Sequence, residues 1–306
     1  MVLIVSPALA APIGNVTLTD GNSMMTFRSG TATTHSGVSF DYNGWWSGTD
    51  SWTVDQEPVN YVSKMCYRDN AMFDDPSFDW DSDSRVQSEN LYPLLDVESW
   101  SVSDRDNNGN NDKFSIIYND GTLKITQTYA LYGGDFGSGK SEVTHTTRYE
   151  NISGSEMDLT AFQIQNFDIG TESIENGGSV NDWSNDYAEV LADQNMARIW
   201  DDSGEVTVLM EEMADHWIAW NKGCANFYFK KLGVDGETDL PQISSFIPDC
   251  TGDTKFVFQW NFMLGDGEAF ELSNVYKASL VPEPGTLLLF GTGIFGLTLL
   301  GRKKQR

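Results

Sequence analysis

The segment best suited to chemistry is a short acidic stretch, Asp104-Arg105-Asp106-Asn107-Asn108-Gly109-Asn110-Asn111-Asp112. Oxygen side chains at alternating loop positions can converge on one hard cation, and a glycine permits the tight turn between them. The stretch matches the first half of an EF-hand-type loop and predicts four calcium ligands. They are Asp104, Asp106, Asn108 and Asp112. Ser115 replaces the bidentate glutamate of that loop and no flanking helices are predicted, so a simple Asn/Gly hairpin turn is the alternative.

An aromatic stretch at residues 40–52 carries four rings in a Gly/Ser-rich setting. They belong to Tyr42, Trp45, Trp46 and Trp52. Exposed rings on a loop can stack on sugars in a binding cleft, so glycan contact is one interpretation. Packing in the core of a β-sandwich is the other, because buried tryptophans commonly fill such cores.

A phosphate-loop pattern, GxxxxGK[ST], spans residues 134–141. Nucleotide binding through this pattern requires a helix that begins at the lysine, so that its amides and dipole face the phosphates. Residues 141–149 instead alternate like a strand and are rich in β-branched side chains. We therefore predict a glycine hairpin between two strands.

Recognisable catalytic sets are missing from the sequence. The histidines, His35, His145 and His216, lack metal-ligand spacing, and there is no G-x-S-x-G nucleophile elbow. The sequence therefore favours a protein without catalysis. A carbohydrate-active enzyme that uses two carboxylates is the alternative, and 45 acidic residues do not single out a pair.

Three cysteines bear on the compartment of the protein. In an oxidising compartment we predict a disulfide between Cys224 and Cys250, which closes a loop of about 26 residues and contributes roughly 3 kcal/mol. Cys66 is then the odd thiol. Three cysteines allow three single pairings, so the connectivity stays open.

Alternation with a period of two dominates the chain and predicts an all-β body, an antiparallel β-sandwich. The predicted strands are residues 122–132, 142–152, 157–169, 205–211, 226–231, 255–264 and 269–277. Gly265-Asp266-Gly267 is a hairpin signal between the last two strands. Residues 186–200 are the one place where a helix competes. Residues 69–90 and 170–186 are polar and acidic, and we predict long surface loops there.

The negative charge of the body disfavours anionic partners. The chain has 19 basic and 45 acidic residues, a net charge of −26. Four of the basic residues and Glu283 belong to the C-terminal tail, so residues 12–281 carry 15 against 44, or −29. Such a surface repels nucleic acid and anionic lipid headgroups. Cations and neutral sugars are the natural partners that remain.

The C-terminal tail combines a proline motif, an apolar run and a basic end. Pro282, Glu283 and Pro284 come first, and fifteen uncharged residues follow at 286–300. As a helix, these would span roughly 23 Å, which is short for a hydrocarbon core of about 30 Å. We predict a single transmembrane helix, with the body on the far side of the membrane from the basic cluster. That cluster is Arg302, Lys303, Lys304 and Arg306.

This order of parts resembles the PEP-CTERM sorting signal of exported Gram-negative bacterial proteins, over less than a tenth of the chain. The resemblance implies an exosortase, a membrane cysteine transpeptidase, as a partner that processes the chain near Pro282, Glu283 and Pro284. It also implies a transient stay in the inner membrane, then release or attachment at the cell surface, often beside extracellular polysaccharide. A plain C-terminal anchor is the alternative.

The sequence therefore predicts three parts. Residues 1–11 look like the end of a secretory signal peptide with an Ala8-Leu9-Ala10 cleavage box. The extracytoplasmic β-sandwich body follows at 12–280, and the sorting signal lies at 281–306. We predict a non-catalytic cell-surface or matrix protein associated with exopolysaccharide or biofilm. A carbohydrate-binding module or a carbohydrate-active enzyme on the same scaffold is the alternative.

Overall fold

The computed structural model describes residues 16–27, 52–59, 62–69, 96–119, 121–167, 169, 171–173, 179–181, 187–221 and 254–281. Within these ranges the chain is nearly all β, with one 3₁₀ turn, Ala192–Gln194. The strands are β1 (Val16–Asp20), β2 (Ser23–Phe27), β3 (Trp52–Val54), β4 (Glu57–Pro58), β5 (Val62–Asp69), β6 (Asp96–Ser103), β7 (Lys113–Asn119), β8 (Leu123–Gly133), β9 (Lys140–Asn151), β10 (Met157–Asn166), β11 (Thr171–Ser173), β12 (Ser179–Asn181), β13 (Tyr187–Leu191), β14 (Met196–Trp200), β15 (Gly204–Met210), β16 (His216–Asn221), β17 (Thr254–Leu264) and β18 (Ala269–Leu280).

The sequence predicts an all-β, antiparallel body, and the described residues are nearly all β and form large antiparallel sheets. Among the residues described, no helix is both long and apolar enough to cross a membrane. The predicted transmembrane helix, like the leader at 1–11, lies outside the described residues.

The largest sheet has eight strands in the order β13-β14-β15-β18-β9-β8-β7-β6, and its neighbouring strands are antiparallel. Successive side chains on a strand point to opposite faces. In β9, Val143, His145, Thr147 and Tyr149 are buried, while the residues between them are half-buried. One face of this sheet therefore carries the core.

Two four-stranded sheets cover that inner face. The first, β1-β2-β3-β4, packs through Phe27, whose ring centroid lies 4.8 Å from that of Tyr129. The second, β16-β17-β10-β5, packs through Gln163, which donates a hydrogen bond to the Tyr276 hydroxyl at 2.8 Å. Tyr129 is the register partner of His145, which also contacts Gln163. Both covering sheets therefore lie on the same face, in the layered arrangement of a β-sandwich.

A buried hydrogen-bond network joins the large sheet to the second covering sheet. Gln163 donates its side-chain amide to His145 Nδ1 at 3.2 Å, which leaves the imidazole hydrogen on Nε2. That nitrogen lies 3.1 Å from the Thr147 hydroxyl and donates to it. Asn274 donates to the Gln163 side-chain carbonyl at 2.5 Å, and the His145 ring stacks on Tyr129 with centroids 4.1 Å apart. Every polar atom of His145 and Gln163 is thereby paired.

Most predicted strands match the structure. The predictions at 122–132, 142–152, 157–169, 205–211, 255–264 and 269–277 correspond to β8, β9, β10, β15, β17 and β18. The turn Gly265-Asp266-Gly267 joins β17 to β18 as predicted. The predicted strand at 226–231 lies outside the described residues. Within the predicted loop at 170–186, β11 and β12 form a short antiparallel pair.

The helix considered for residues 186–200 is wrong. The described part of this segment is a hairpin in which Tyr187 of β13 pairs with Trp200 of β14. Asn195 closes the turn with a left-handed φ of 49° and donates its backbone N–H to the Ala192 carbonyl. Strand β14 also pairs with β15, and such tertiary pairing outweighs a weak helical propensity.

We expect His145 to make the protein less stable in mild acid. Burial lowers the pKa of His145 from 6.5 to about 3, so between these values the unfolded chain binds a proton that the folded chain excludes. The free energy of unfolding should therefore fall as the pH drops below 6.5, by at most about 1.4 kcal/mol per pH unit. Urea unfolding of the wild type and of His145→Gln between pH 7 and pH 5 measures this slope. Equal slopes in the two proteins would contradict the assignment.

Candidate functional site

The acidic loop of residues 104–112 connects β6 to β7 as a hairpin, since Ser103 pairs with Lys113. The loop folds around one carboxylate. Asp104 accepts the backbone N–H of Asn108 at 3.1 Å and that of Gly109 at 2.7 Å. The Gly109 hydrogen bond is the main cause of the lowered pKa of Asp104. The predicted hairpin turn is therefore present, and its tip is held by a charged acceptor.

Three of the four predicted calcium ligands lie together. Asp104, Asp106 and Asp112 each place a carboxylate oxygen within 4.8 Å of the other two. The side-chain oxygen of Asn108 instead accepts the Asn110 backbone N–H at 2.9 Å. Its amide nitrogen lies 3.2 Å from Asp106 Oδ2. The structure therefore supplies three carboxylates, with Asn108 bracing the loop.

Asp112 lies at the base of this cluster and is fully buried. Its Oδ1 accepts the Arg105 backbone N–H at 2.8 Å. Its Oδ2 receives no hydrogen bond, and lies 3.4 Å from the Arg105 guanidinium, which is partly exposed and sits over the Tyr132 ring. A buried carboxylate oxygen without a hydrogen bond is costly. This atom is therefore the strongest feature of the site that points to a cation.

The turn between β1 and β2 connects the acidic loop to the rest of the body. Asp20 Oδ1 accepts the Asn108 side-chain amide at 3.3 Å, and its Oδ2 accepts the Gly133 backbone N–H at 3.0 Å. Next to it, Thr19 donates its backbone N–H to the Asn111 carbonyl at 2.8 Å. Asp20 is thus a shared acceptor for two loops. Our sequence reasoning missed it, because an Asp-Gly-Asn turn signals only a local bend.

The glycine loop between β8 and β9 contains the phosphate-loop pattern, and its amides bind a carboxylate of the protein itself. Asp55, in the turn between β3 and β4, accepts the N–H of Gly137 at 2.6 Å and that of Gly139 at 2.7 Å. Asn22 donates its side-chain amide to the same carboxylate at 3.0 Å. Lys140 begins a strand, not a helix. The predicted glycine hairpin is therefore correct, and Asp55 occupies the anion-binding groups of the loop.

Glycine is required where the β1–β2 turn meets this loop. A Cβ atom added at Gly133 would lie 1.8 Å from the Asp20 carbonyl oxygen, and one added at Gly21 would lie 2.3 Å from the Gly134 carbonyl oxygen. Both distances are far inside van der Waals contact with backbone atoms, which have no rotamer to change. Close approach of the two backbones therefore depends on these two glycines.

Of the other predicted site residues, the structure describes only Trp52. Trp52 is fully buried, and its indole N–H donates to the Ser141 hydroxyl at 3.2 Å. A glycan cannot reach this ring, so the prediction of glycan contact is wrong for Trp52 and the packing interpretation is correct. The remaining predicted residues lie outside the described ranges. They are Tyr42, Trp45, Trp46, Cys224, Cys250, Pro282, Glu283, Pro284, Arg302, Lys303, Lys304 and Arg306.

The tail has a family assignment. A family model for the PEP-CTERM protein-sorting motif matches residues 280–304. This confirms the resemblance seen in the sequence. The chain therefore carries an exosortase sorting signal of exported proteins, which begins where β18 ends. No curated protein matches the chain.

Several solved structures show weak similarity to the chain. An aldose 1-epimerase candidate from Escherichia coli K12 is 10% identical, with a TM-score of 0.35 over 60% of this chain and 69% of that one. The Slr1438 protein of Synechocystis sp. PCC 6803 is 12% identical, with a TM-score of 0.43 over 92% of this chain and 100% of that one. A kojibiose phosphorylase candidate from the human microbiome is 10% identical, with a TM-score of 0.40 over 95% of this chain and 33% of that one. Similarities this weak carry no conclusion about activity.

We expect Asp55→Asn to destabilise the end of the body that holds the glycine loop. The substitution removes the charge that accepts two backbone N–H groups and places an amide donor beside them, at a cost of about 1–3 kcal/mol. Urea unfolding measures the loss, and limited proteolysis at residues 134–139 measures the release of the loop. Asp135→Asn, an exposed neighbour, is the matched control. If both variants were as stable as the wild type, Asp55 would not hold the loop.

Proposed function

We propose that this protein is an exported component of the cell surface or of an extracellular polysaccharide matrix, and that its body has no catalytic activity. The observation that carries the proposal is the sorting motif at residues 280–304, which begins at the last residue of β18. The charge of −29 on residues 12–281 keeps such a body soluble and away from nucleic acid.

The polar groups with shifted pKa values support a structural role. Burial lowers the pKa of His145 to about 3, and its ring nitrogens are occupied by Gln163 and Thr147. Burial also raises the pKa of Tyr129 well above its ordinary value. Asp104 receives backbone N–H groups of its own loop. In this proposal these groups stabilise the fold and take no part in proton transfer.

We also propose that the β6–β7 loop binds one calcium ion. Three carboxylates converge there, and Asp112 presents a buried oxygen without a hydrogen bond. Oxygen-only ligands suit calcium, and extracellular modules bind it with a Kd of roughly 10⁻⁴–10⁻³ M. The ion would neutralise the Asp112 carboxylate, whose charge the Arg105 guanidinium balances at 3.4 Å when no ion is bound. Through the Asn108–Asp20 contact, bound calcium would also tighten the loop against β1.

Calcium should raise the melting temperature of the wild-type protein. At ten times the Kd, binding adds about 1.4 kcal/mol to the free energy of unfolding. Asp112→Asn should abolish the calcium-dependent increase, whatever its effect in the absence of calcium. Asp202→Asn, an exposed acidic residue, should keep it. Thermal unfolding with 0 and with millimolar calcium measures the increase. An unchanged melting temperature in wild type would refute the site.

Glycan binding is the second candidate function, and an aromatic pair of one exposed and one half-buried ring favours it. Tyr187 is 55% exposed, and its ring stacks on that of Trp200 with centroids 5.8 Å apart. The Arg198 guanidinium lies 4.7 Å from the centre of the Trp200 ring. The pair lies on the edge hairpin β13–β14, where an aromatic surface with a polar rim suits sugar stacking.

The secreted body should therefore be tested against the exopolysaccharide of its own host. We expect no release of shorter glycans, because a body without catalytic activity cannot cleave the polysaccharide. Saturable binding that is weakened at least tenfold by Trp200→Ala, but not by Trp100→Ala on the opposite edge strand, would support the glycan-binding candidate. Turnover of the polysaccharide would contradict the non-catalytic proposal and favour the enzyme.

A further inference from the structure

The last strand of the body lies in the interior of the large sheet. Strand β18 pairs with β15 along one side, from Met210↔Asn274 to Gly204↔Leu280. It pairs with β9 along the other side, from Glu150↔Ala269 to Lys140↔Ser279. The strand is therefore hydrogen-bonded on both sides until its last residues.

The end of β18 is held tightly. Leu280 donates its backbone N–H to the Gly139 carbonyl at 2.7 Å, and Val281 donates to the Ser203 carbonyl at 2.8 Å. A Cβ atom added at Gly139 would lie 2.3 Å from the Leu280 carbonyl oxygen, and one added at Gly204 would lie 2.8 Å from the Leu280 Cα. Both neighbours are glycines that approach the backbone of Leu280 closely. Gly139 is itself held by Asp55.

The Pro-Glu-Pro tripeptide of the sorting motif begins at the residue after Val281, Pro282. A processing enzyme of the peptide-cleaving class binds its substrate as an extended segment, with main-chain hydrogen bonds on both sides of the bond that it breaks. The main-chain groups just upstream of the motif are already paired inside the body. Pro282 and Pro284 have no N–H to offer in their place. The folded body and the enzyme therefore compete for the same stretch of backbone.

We propose that the folded end of β18 limits access of the exosortase to its motif, so that processing requires the last residues of β18 to separate from Gly139 and Ser203. This inference rests on the proposed function, which makes the chain an exosortase substrate. In the processing step, one peptide bond near the motif breaks. The upstream carbonyl carbon passes to the thiol of the enzyme and then to water or an amine, and the downstream amine leaves with a proton. The body thereby regulates its own release by the stability of one strand end.

The test changes the access of the enzyme in two independent ways, in the full-length chain expressed in cells that contain the exosortase. The first variant inserts Gly-Ser-Gly-Ser between Val281 and Pro282, which supplies free backbone without opening β18. The second, Leu280→Ala, weakens the packing of the strand end without lengthening the chain. The matched control inserts the same four residues between Gly121 and Thr122, which are both exposed and precede β8. Pulse-chase labelling with detection of the processed form gives the rate, and protease resistance of the body confirms folding.

We expect the insertion before Pro282 to raise the processing rate about tenfold or more, because two main-chain hydrogen bonds and the buried Leu280 no longer have to be released. Leu280→Ala should raise the rate as well, and the control insertion should leave it unchanged. Equal rates in all variants would overturn the inference. A rise with the insertion but none with Leu280→Ala would also overturn it, because the bulk of the body would then limit access. If no variant, including the wild type, is processed, the proposed function itself fails.

Discussion

Carboxylates that accept backbone N–H groups hold one end of this protein together. Asp20 accepts the backbone N–H of Gly133 at the end of β8, and Asp55 and Asp104 accept those of loops that have few apolar side chains to bury. Hydrogen bonds of this kind are charge-assisted and stronger than those between neutral groups. The three loops that meet there, after β1, β6 and β8, would otherwise leave polar backbone without partners. The acidic composition of the body is thus partly structural, since several carboxylates serve as caps for the chain itself.

The core of the body combines apolar packing with a few buried polar side chains. The core between the large sheet and the second covering sheet is mostly apolar, but His145, Gln163 and Asn274 are buried within it. Their burial is tolerated because both ring nitrogens of His145 and both polar atoms of the Gln163 side chain have hydrogen-bond partners. The network also links three strands, β9, β10 and β18, that come from two different sheets. It therefore specifies how the second covering sheet sits on the large one, which apolar contacts alone would fix less uniquely.

The sequence revealed the features that depend on neighbours in the chain. Strands such as β8 and β9 follow from local alternation, and Asp104, Asp106 and Asp112 cluster because they belong to one short loop. Features that depend on partners far away in the sequence could not be predicted. The residues around Trp52 have the composition of a sugar-binding stretch. Trp52 is nevertheless buried, because it packs against the large sheet. Asp55 gave no signal, since its partners Gly137 and Gly139 belong to another hairpin. The hairpin β13–β14 competes with a helix until the pairing of β14 with β15 is known.

The interior position of β18 has a consequence for shortened forms of the chain. A protein that ended at Glu268, just before β18 begins, would lose the strand that joins β15 to β9. The large sheet would then divide into a three-stranded and a four-stranded piece, each with a freshly exposed edge. Unpaired edges of this kind are templates on which other chains add strands. Premature termination or proteolysis within β18 would therefore turn this negatively charged body into a nucleus for edge-to-edge aggregation.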